Sequence, residues 1–522
     1  MTTESHRHSQ STGVASAPAP APPLPSFLFR GHDAPIHSLE FFASNTFLVT
    51  GDETGWIYVW DIWKRRQIYK WQGHPSASVL ALKAISIQRS KSGAPRTGTK
   101  KCQAHLMALQ DPVYIVSHGR DNEIHVWDIN DILQKSLESS SSTNSAASPS
   151  KSRNLAPVFS LPVNAVNFCK MSILAIDAPP FSSSTSPSQP ENKGNSQELK
   201  ESPLRKTHQH FYIAVPSPTT PTLIDIYDIV KPERKFASIG IDASIPQGTG
   251  EKKWGSVMAI QLFQTQKQAI TDLSALVLND DTSTASATHD HPNTLHMLVG
   301  YEDGSVCLFQ EITPLPSAQG QKQKHKMQVL WTIKCHREPV LGLDVSSDLQ
   351  FAVSCGSDNV LAKYNLSNRV RGVPEVLKES LKSNGIADIK IRSDNKIIGL
   401  AGWDGRIRIY SAKALKPLAV LKHHREGLYC LGFAQIRGLD QSANAEGATA
   451  NDQNKVEACT EKDSAPALRE VGDGDDSDKD SGDESDEDSD SEYILQERLQ
   501  WSRRHWIATG GKENRISLWE IY

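Results

Sequence analysis

The chain has 522 residues, a net charge of −4 and an apolar share of 38%, below the roughly 45–50% of compact globular chains, so a folded core diluted by polar sequence is expected. Its seven cysteines (Cys102, Cys169, Cys307, Cys335, Cys355, Cys430 and Cys459) are scattered and form no Cys-x-x-Cys pair, which excludes a disulfide framework or cysteine zinc site and fits a reducing compartment. No stretch approaches the roughly 18–20 apolar residues that cross a bilayer, and Met1–Ser26 lacks the basic start and apolar core of a secretory signal, so a soluble intracellular protein is expected.

In chain order, residues 1–25 form a Pro/Ser/Ala-rich tail predicted to be disordered, with Ala17–Pro25 reading as a polyproline spacer. A short apolar segment, Phe27–Arg30, follows. Then comes a unit that returns seven times. Its first copy, Thr50-Gly-Asp-Glu-Thr-Gly-Trp-Ile-Tyr-Val-Trp-Asp-Ile62, is a small-residue turn followed by alternating apolar residues and an aromatic with a polar follower. The second copy spans Ser117–Ile129, and the third, ending Ile226-Tyr227-Asp228, has lost its Gly-Asp turn. The remaining copies end at Phe309, Tyr364, Tyr410 and Trp519. Gly, Asp and Asn serve the turn of a β-hairpin, and the alternation gives each strand two faces. Upstream of several copies lies another apolar strand introduced by a histidine: His32, His336 or His424.

Polar insertions interrupt the unit at about 88–105, 133–154, 179–208, 264–292 and 435–492. They are too poor in apolar residues to offset the entropy of ordering, so disorder is predicted for each. The last contains an acidic run, 473–492, with a local charge of −11, which leaves +7 on the remainder. Ser477, Ser481, Ser485 and Ser489 within it stand among acids, a context that acidophilic kinases favour. Each insertion falls between the first and second, or the third and fourth, strands of a unit.

A Gly-His, two strands and a Trp-Asp resemble the WD repeat, which implies an all-β, single seven-bladed β-propeller over residues 26–522. In that family a His, a Ser or Thr, an acid and a Trp are bonded in sequence within each blade. The resemblance assigns His74, Ser117, Asp121 and Trp127 to the second blade, and His336, Ser354, Asp358 and Tyr364 to the fifth. It assigns His424, Thr509, Glu513 and Trp519 to the seventh, and His32, Thr50 and Trp60 to the first, where Thr54 stands at the acid's place. Blades three, four and six lack the histidine, so their tetrads are expected to be incomplete. The sequence stops three residues after Trp519, one strand short, and Phe27–Arg30 is expected to supply that strand and seal the ring. The family's two long-looped connections share one rim, which leaves the opposite rim, short-looped except at Asp242–Trp254, as the expected partner surface.

No Gly-x-Ser-x-Gly, His-Glu-x-x-His or phosphate-loop motif occurs, so neither catalysis, a cofactor nor a metal is expected. Of the two histidine pairs, His6 with His8 lies in the tail, and His423 adjoins a structural histidine. Basic clusters such as Lys64-Arg-Arg66 are too short for a nucleic-acid face, and no direct nucleic-acid binding is expected.

Four passages together resemble the family of ASTRA-associated protein 1: Pro25–His37, Asp111–Asn122, Ala401–Tyr410 and Ile507–Tyr522. The resemblance implies a nuclear, non-enzymatic subunit of the ASTRA complex, linked to chromatin remodelling and to assembly of PI3-kinase-related kinases. Its neighbours there would be a large pseudokinase of that group, a helical co-chaperone trio and paired AAA+ ATPases. Two rival readings are a substrate receptor of a cullin-type ubiquitin ligase and a G-protein β-like signalling propeller. Neither Trp60-Asp-Ile-Trp63 nor Trp127-Asp-Ile-Asn130 has the arginine of a ligase-type ending, and Pro-rich sequence stands where a β subunit's coiled coil would be.

Overall fold

Two-fold alternation in the repeat gives each strand one face for either neighbouring blade, and that requirement organises the whole molecule. The computed structural model describes residues 23–87, 111–138, 155–165, 168–177, 209–240, 254–265, 294–312, 325–367, 373–436 and 496–521. Their strands, numbered β1 to β28 in chain order, form seven antiparallel four-stranded sheets. The innermost strands are β2 (Ile36–Phe42), β6 (Val79–Ser86), β10 (Ser172–Asp177), β14 (Val257–Thr265), β18 (Val340–Val345), β22 (Ile386–Ile391) and β26 (Leu428–Phe433). Successive innermost strands touch at six of the seven seams, including β26 against β2, and the seam between β6 and β10 is filled by a cluster with Ala81, Met171 and Phe211. The molecule is a seven-bladed propeller.

Each seam between blades has its own apolar cluster. In the first repeat Ile57 and Val59 pack toward the second blade, whereas Tyr58 and Trp60 pack toward the seventh. The closing seam joins Phe29, Trp60, Trp506 and Leu518. There β1 (Phe27–Arg30) pairs with β28 (Arg515–Glu520), Phe27 opposite Leu518 and Arg30 opposite Arg515, and so completes the seventh blade. The ring therefore has no unpaired closing edge. The degenerate third repeat also forms four strands, with a register irregularity around Ile226.

The strand ends that flank 88–110, 139–154, 178–208, 266–293, 313–324, 368–372 and 437–495 belong to first and second or third and fourth strands and lie at one rim, whereas those that flank 241–253, between the third and fourth blades, lie at the other. The predicted insertions 88–105 and 179–208, and most of the other three, lie outside the described residues, as does the tail through residue 22. Three boundaries are corrected. Residues 133–138, assigned to an insertion, belong to a helix, Asn130–Glu138, because Leu133 is buried and Ile132 and Leu137 pack beside it in the seam of the first two blades. The serine-rich sequence that follows masked this apolar stripe. Gln264 and Thr265 likewise end β14, and Gln435 is fixed by Asn45, whose amide bonds Gln435 O at 2.8 Å and Ser502 O at 2.9 Å. Asn45 thus holds both stems of the acidic insertion. A second helix, at 496–503, docks on the first blade through a buried Arg498–Asp61 ion pair and on the seventh through the stacking of Trp501 on Trp506.

Candidate protein-interaction face

The opposite rim is built from hairpin turns braced by hydrogen bonds from the preceding loop. In the second blade His74 Nδ1 donates to Asp121 (2.9 Å), leaving Nε2 to accept from Ser117 (2.7 Å), while Trp127 Nε1 donates to the same hydroxyl (2.8 Å). Burial pushes the Asp121 carboxyl up, but the bond and charge of His74, together with the Glu123 amide, outweigh this and hold it below the usual carboxylate value. The fifth blade repeats the chain: His336 to Asp358 (3.0 Å) and Ser354 (2.7 Å), and Ser354 to Tyr364 (2.9 Å).

Two tetrads differ from the sequence assignment. In the first blade His32 reaches Thr50 (2.7 Å) and Trp60 donates to Thr50 (2.8 Å), but the acid is Asp52, 2.8 Å from His32 Nδ1. Thr54, standing at the expected position, donates both its amide and its hydroxyl to Asp52. In the seventh blade Glu513 meets His424 (3.0 Å), yet the hub is Ser517, which bonds His424 (2.8 Å), Thr509 (2.8 Å) and Trp519 (2.9 Å). A readable signal existed for both. Asp52 is an acid inside the turn, and Ser517 lies two residues before the indole, hence on the same strand face.

Blades without the histidine bind their turns by other means. In the sixth, the buried Arg408 guanidinium forks onto Asp404 (2.9 Å from Nη1) and reaches Ser383 (2.6 Å) in the preceding loop. In the third, fully buried Asp225 accepts from Ser238 N (2.7 Å) and Arg234 (3.1 Å). In the fourth, Trp254 packs on Tyr301, ring centroids 5.1 Å apart. The turns also need left-handed backbone: Gly55 has φ +90°, and a Cβ there would lie 1.6 Å from His74 O.

At this rim six of the seven innermost strands carry a bulge at their second residue, namely His37, Leu80, Met258, Leu341, Ala387 and Tyr429. Bulges re-aim side chains, so in each of these six blades one residue is turned out of the ladder beside the axis. His37 and Tyr429, from adjacent blades, stack at 4.9 Å. Burial, then the nearby Lys170 charge, lowers the His37 pKa to about 4, so its ring is a neutral stacking partner at pH 7. Further out, Trp403 is 47% exposed and Phe168 57% exposed, with the Arg120 guanidinium 4.5 Å from the Phe168 centroid. Trp403 lies against Gly385 (φ +80°), where a Cβ would come within 2.1 Å of the indole.

Beneath the rim is an axial cavity of about 500 Å³. Lys170 of the third blade crosses it to Asp388 of the sixth (3.0 Å), Lys83 pairs with Glu40 (2.8 Å), and Asp344 accepts the Ile391 amide (2.7 Å). Burial raises the Asp388 carboxyl, and Lys170 and Lys390 more than reverse it. Among the described residues one group, His74, Asp121 and His125, brings ligand-type atoms within 4.8 Å of one another. Both His74 nitrogens are already engaged by Asp121 and Ser117, so that group is part of the tetrad.

The family profile "WD domain, G-beta repeat" matches residues 24–61 and 327–365, the copies around Trp60 and Tyr364. ASTRA-associated protein 1 of Aspergillus flavus is 30% identical over 515 residues, covering 95% of this chain and 97% of that protein. Its Aspergillus niger counterpart is 29% identical with the same coverage. Mouse guanine nucleotide-binding protein subunit beta-like protein 1 is 26% identical over 417 residues, 79% of this chain and 90% of the relative.

Proposed function

The chain belongs to the ASTRA-associated protein 1 family of WD-repeat proteins, and from that premise we propose that it is a non-enzymatic scaffold of the ASTRA complex. In this reading it works in the nucleus, in chromatin remodelling and in the assembly of PI3-kinase-related kinases. The short-looped rim docks a pseudokinase of that group, the helical co-chaperones or the AAA+ ATPases. The observation that carries it is the resemblance along nearly the whole chain, joined to a rim with tetrad-braced turns and exposed Trp403 and Phe168. A large aromatic held rigid on an exposed turn loses little entropy on binding and is the usual kind of interface anchor.

Affinity purification of the tagged full chain from nuclear and cytoplasmic extracts, followed by mass spectrometry, tests this. Recovery of kinase-related and AAA+ proteins from the nuclear fraction is expected. A cullin and its adaptor in their place would overturn it in favour of a ligase receptor.

A further inference from the structure

The outermost strands are β1, β5 (Arg66–Gln72), β9 (Phe159–Pro162), β13 (Glu233–Ile239), β17 (Lys326–Lys334), β21 (Val376–Ser380) and β25 (Pro417–Lys422). Each ends its sheet and leaves one edge of backbone N–H and C=O groups open. Such edges are commonly protected by charge or by shortness. Arg66 and Lys70 lie on β5, Glu233, Arg234 and Lys235 on β13, Lys326 and Lys334 on β17, and Lys378 and Glu379 on β21, while β1 and β9 have four residues each. In β25, by contrast, Pro417, Leu418, Ala419 and Val420 are exposed in succession without a charge among them. Leu418 is 58% and Val420 41% exposed. The strand is held from behind, because Leu421 is buried in the seam with the seventh blade. A fixed, apolar, open edge is a template for another strand.

Charge selects the occupant. Exposed Lys413 and Lys416 precede the apolar run and Lys422 follows it. A second copy pairing antiparallel about Ala419 would set Lys416 opposite Lys422 at both ends, and like charges directly opposed are destabilising. We propose that the edge of β25 is a second docking site, separate from the short-looped rim, which takes an extended partner segment with an alternating apolar core flanked by acidic residues. The core residues cover Leu418 and Val420, and the acids meet Lys416 and Lys422.

The test uses the full chain and a fluorescein-labelled peptide, Asp-Glu-(Val-Thr)3-Val-Glu-Asp, followed by anisotropy. Two control peptides replace its valines by serine, or its acids by lysine. Binding of the first peptide, at least tenfold tighter than either control and weakened by salt, is expected. Leu418→Lys with Val420→Lys should weaken it at least tenfold without lowering the melting temperature. Lys416→Glu with Lys422→Glu should switch the preference to the lysine-flanked peptide. Equal binding of the serine control, or unchanged affinity in the Leu418/Val420 variant, would overturn the proposal. So would a dimer in sedimentation that the same variant dissolves, because the occupant would then be a second copy.

Discussion

At the scale of single residues, the tetrads show that a bonding role is set by reach and not by a fixed place in the repeat. Asp52 accepts from His32, the Thr54 amide and hydroxyl, and the Trp56 amide. Asp52→Ala would leave the buried His32 donor unpaired and release the turn amides of Thr54 and Trp56, at a cost of about 3 kcal/mol, against at most about 1 kcal/mol for Thr54→Val, which removes one bond of an exposed side chain. Denaturant unfolding of both variants checks this, and equal losses would return the acid's role to position 54. Histidines give a second prediction. Burial lowers His37 to about 4 and fully buried His118 to about 3, whereas the unfolded chain titrates near 6.5. The unfolded state therefore takes up protons first as pH falls, and stability present above about 6.5 is lost on the way down toward the folded values. At pH 5 each ring accounts for a loss of about 2 kcal/mol. Asp121 and Asp358, both lowered, add to the loss only below the ordinary carboxylate range, as pH falls through their folded values. Melting temperature should fall between pH 7.5 and 5, less steeply in His118→Leu.

At the scale of elements, the two rims divide the labour. The stems of the long connections, 241–253 excepted, lie at one, and turns braced by His74, His336, Arg408 and their partners form the other. The bulges at six innermost strands turn a side chain beside the axis while the rest of each ladder stays intact. Trp403 depends on Gly385 in the same way. Gly385→Ala puts a methyl where the indole lies, at a backbone angle that disfavours alanine, so the ring must move. If the rim is the docking face, Gly385→Ala and Trp403→Ala should both cut co-purified partner several-fold, with Trp403→Ala leaving the melting temperature within a few degrees. Undiminished recovery from both would move the docking face elsewhere.

At the scale of the molecule, closure is the central fact. β1 and β28 come from opposite ends of the sequence and share one sheet, and Lys170 reaches across the axis to Asp388. Removing residues 1–22 touches none of this and should leave the melting temperature unchanged. Removing residues 1–30 strips β1 from β28, takes Phe29 out of the closing seam, and should lower it by 5 °C or more in calorimetry. Deleting 472–492 is expected to matter little, since Asn45 fixes the stems at Gln435 and Ser502 on either side.

The repeat and its two-faced strands were legible in the sequence, because turn chemistry and alternation are local properties of neighbouring residues, and the resemblance to the WD repeat added the ring of seven blades and the sealing role of Phe27–Arg30. Tetrads two and five were legible through the resemblance to the WD repeat, because Ser117, Asp121 and Trp127 stand at the same spacing as Ser354, Asp358 and Tyr364, after a histidine that precedes each blade's first strand. Tertiary structure decided what depends on distance across the fold. Asp52 took the acid's place, Ser517 became a hub, Arg408 stood in for a histidine, and Leu133 found a seam that turned polar-looking sequence into helix. In each case several side chains could supply the same hydrogen bond or burial, and only the positions of neighbouring blades select among them.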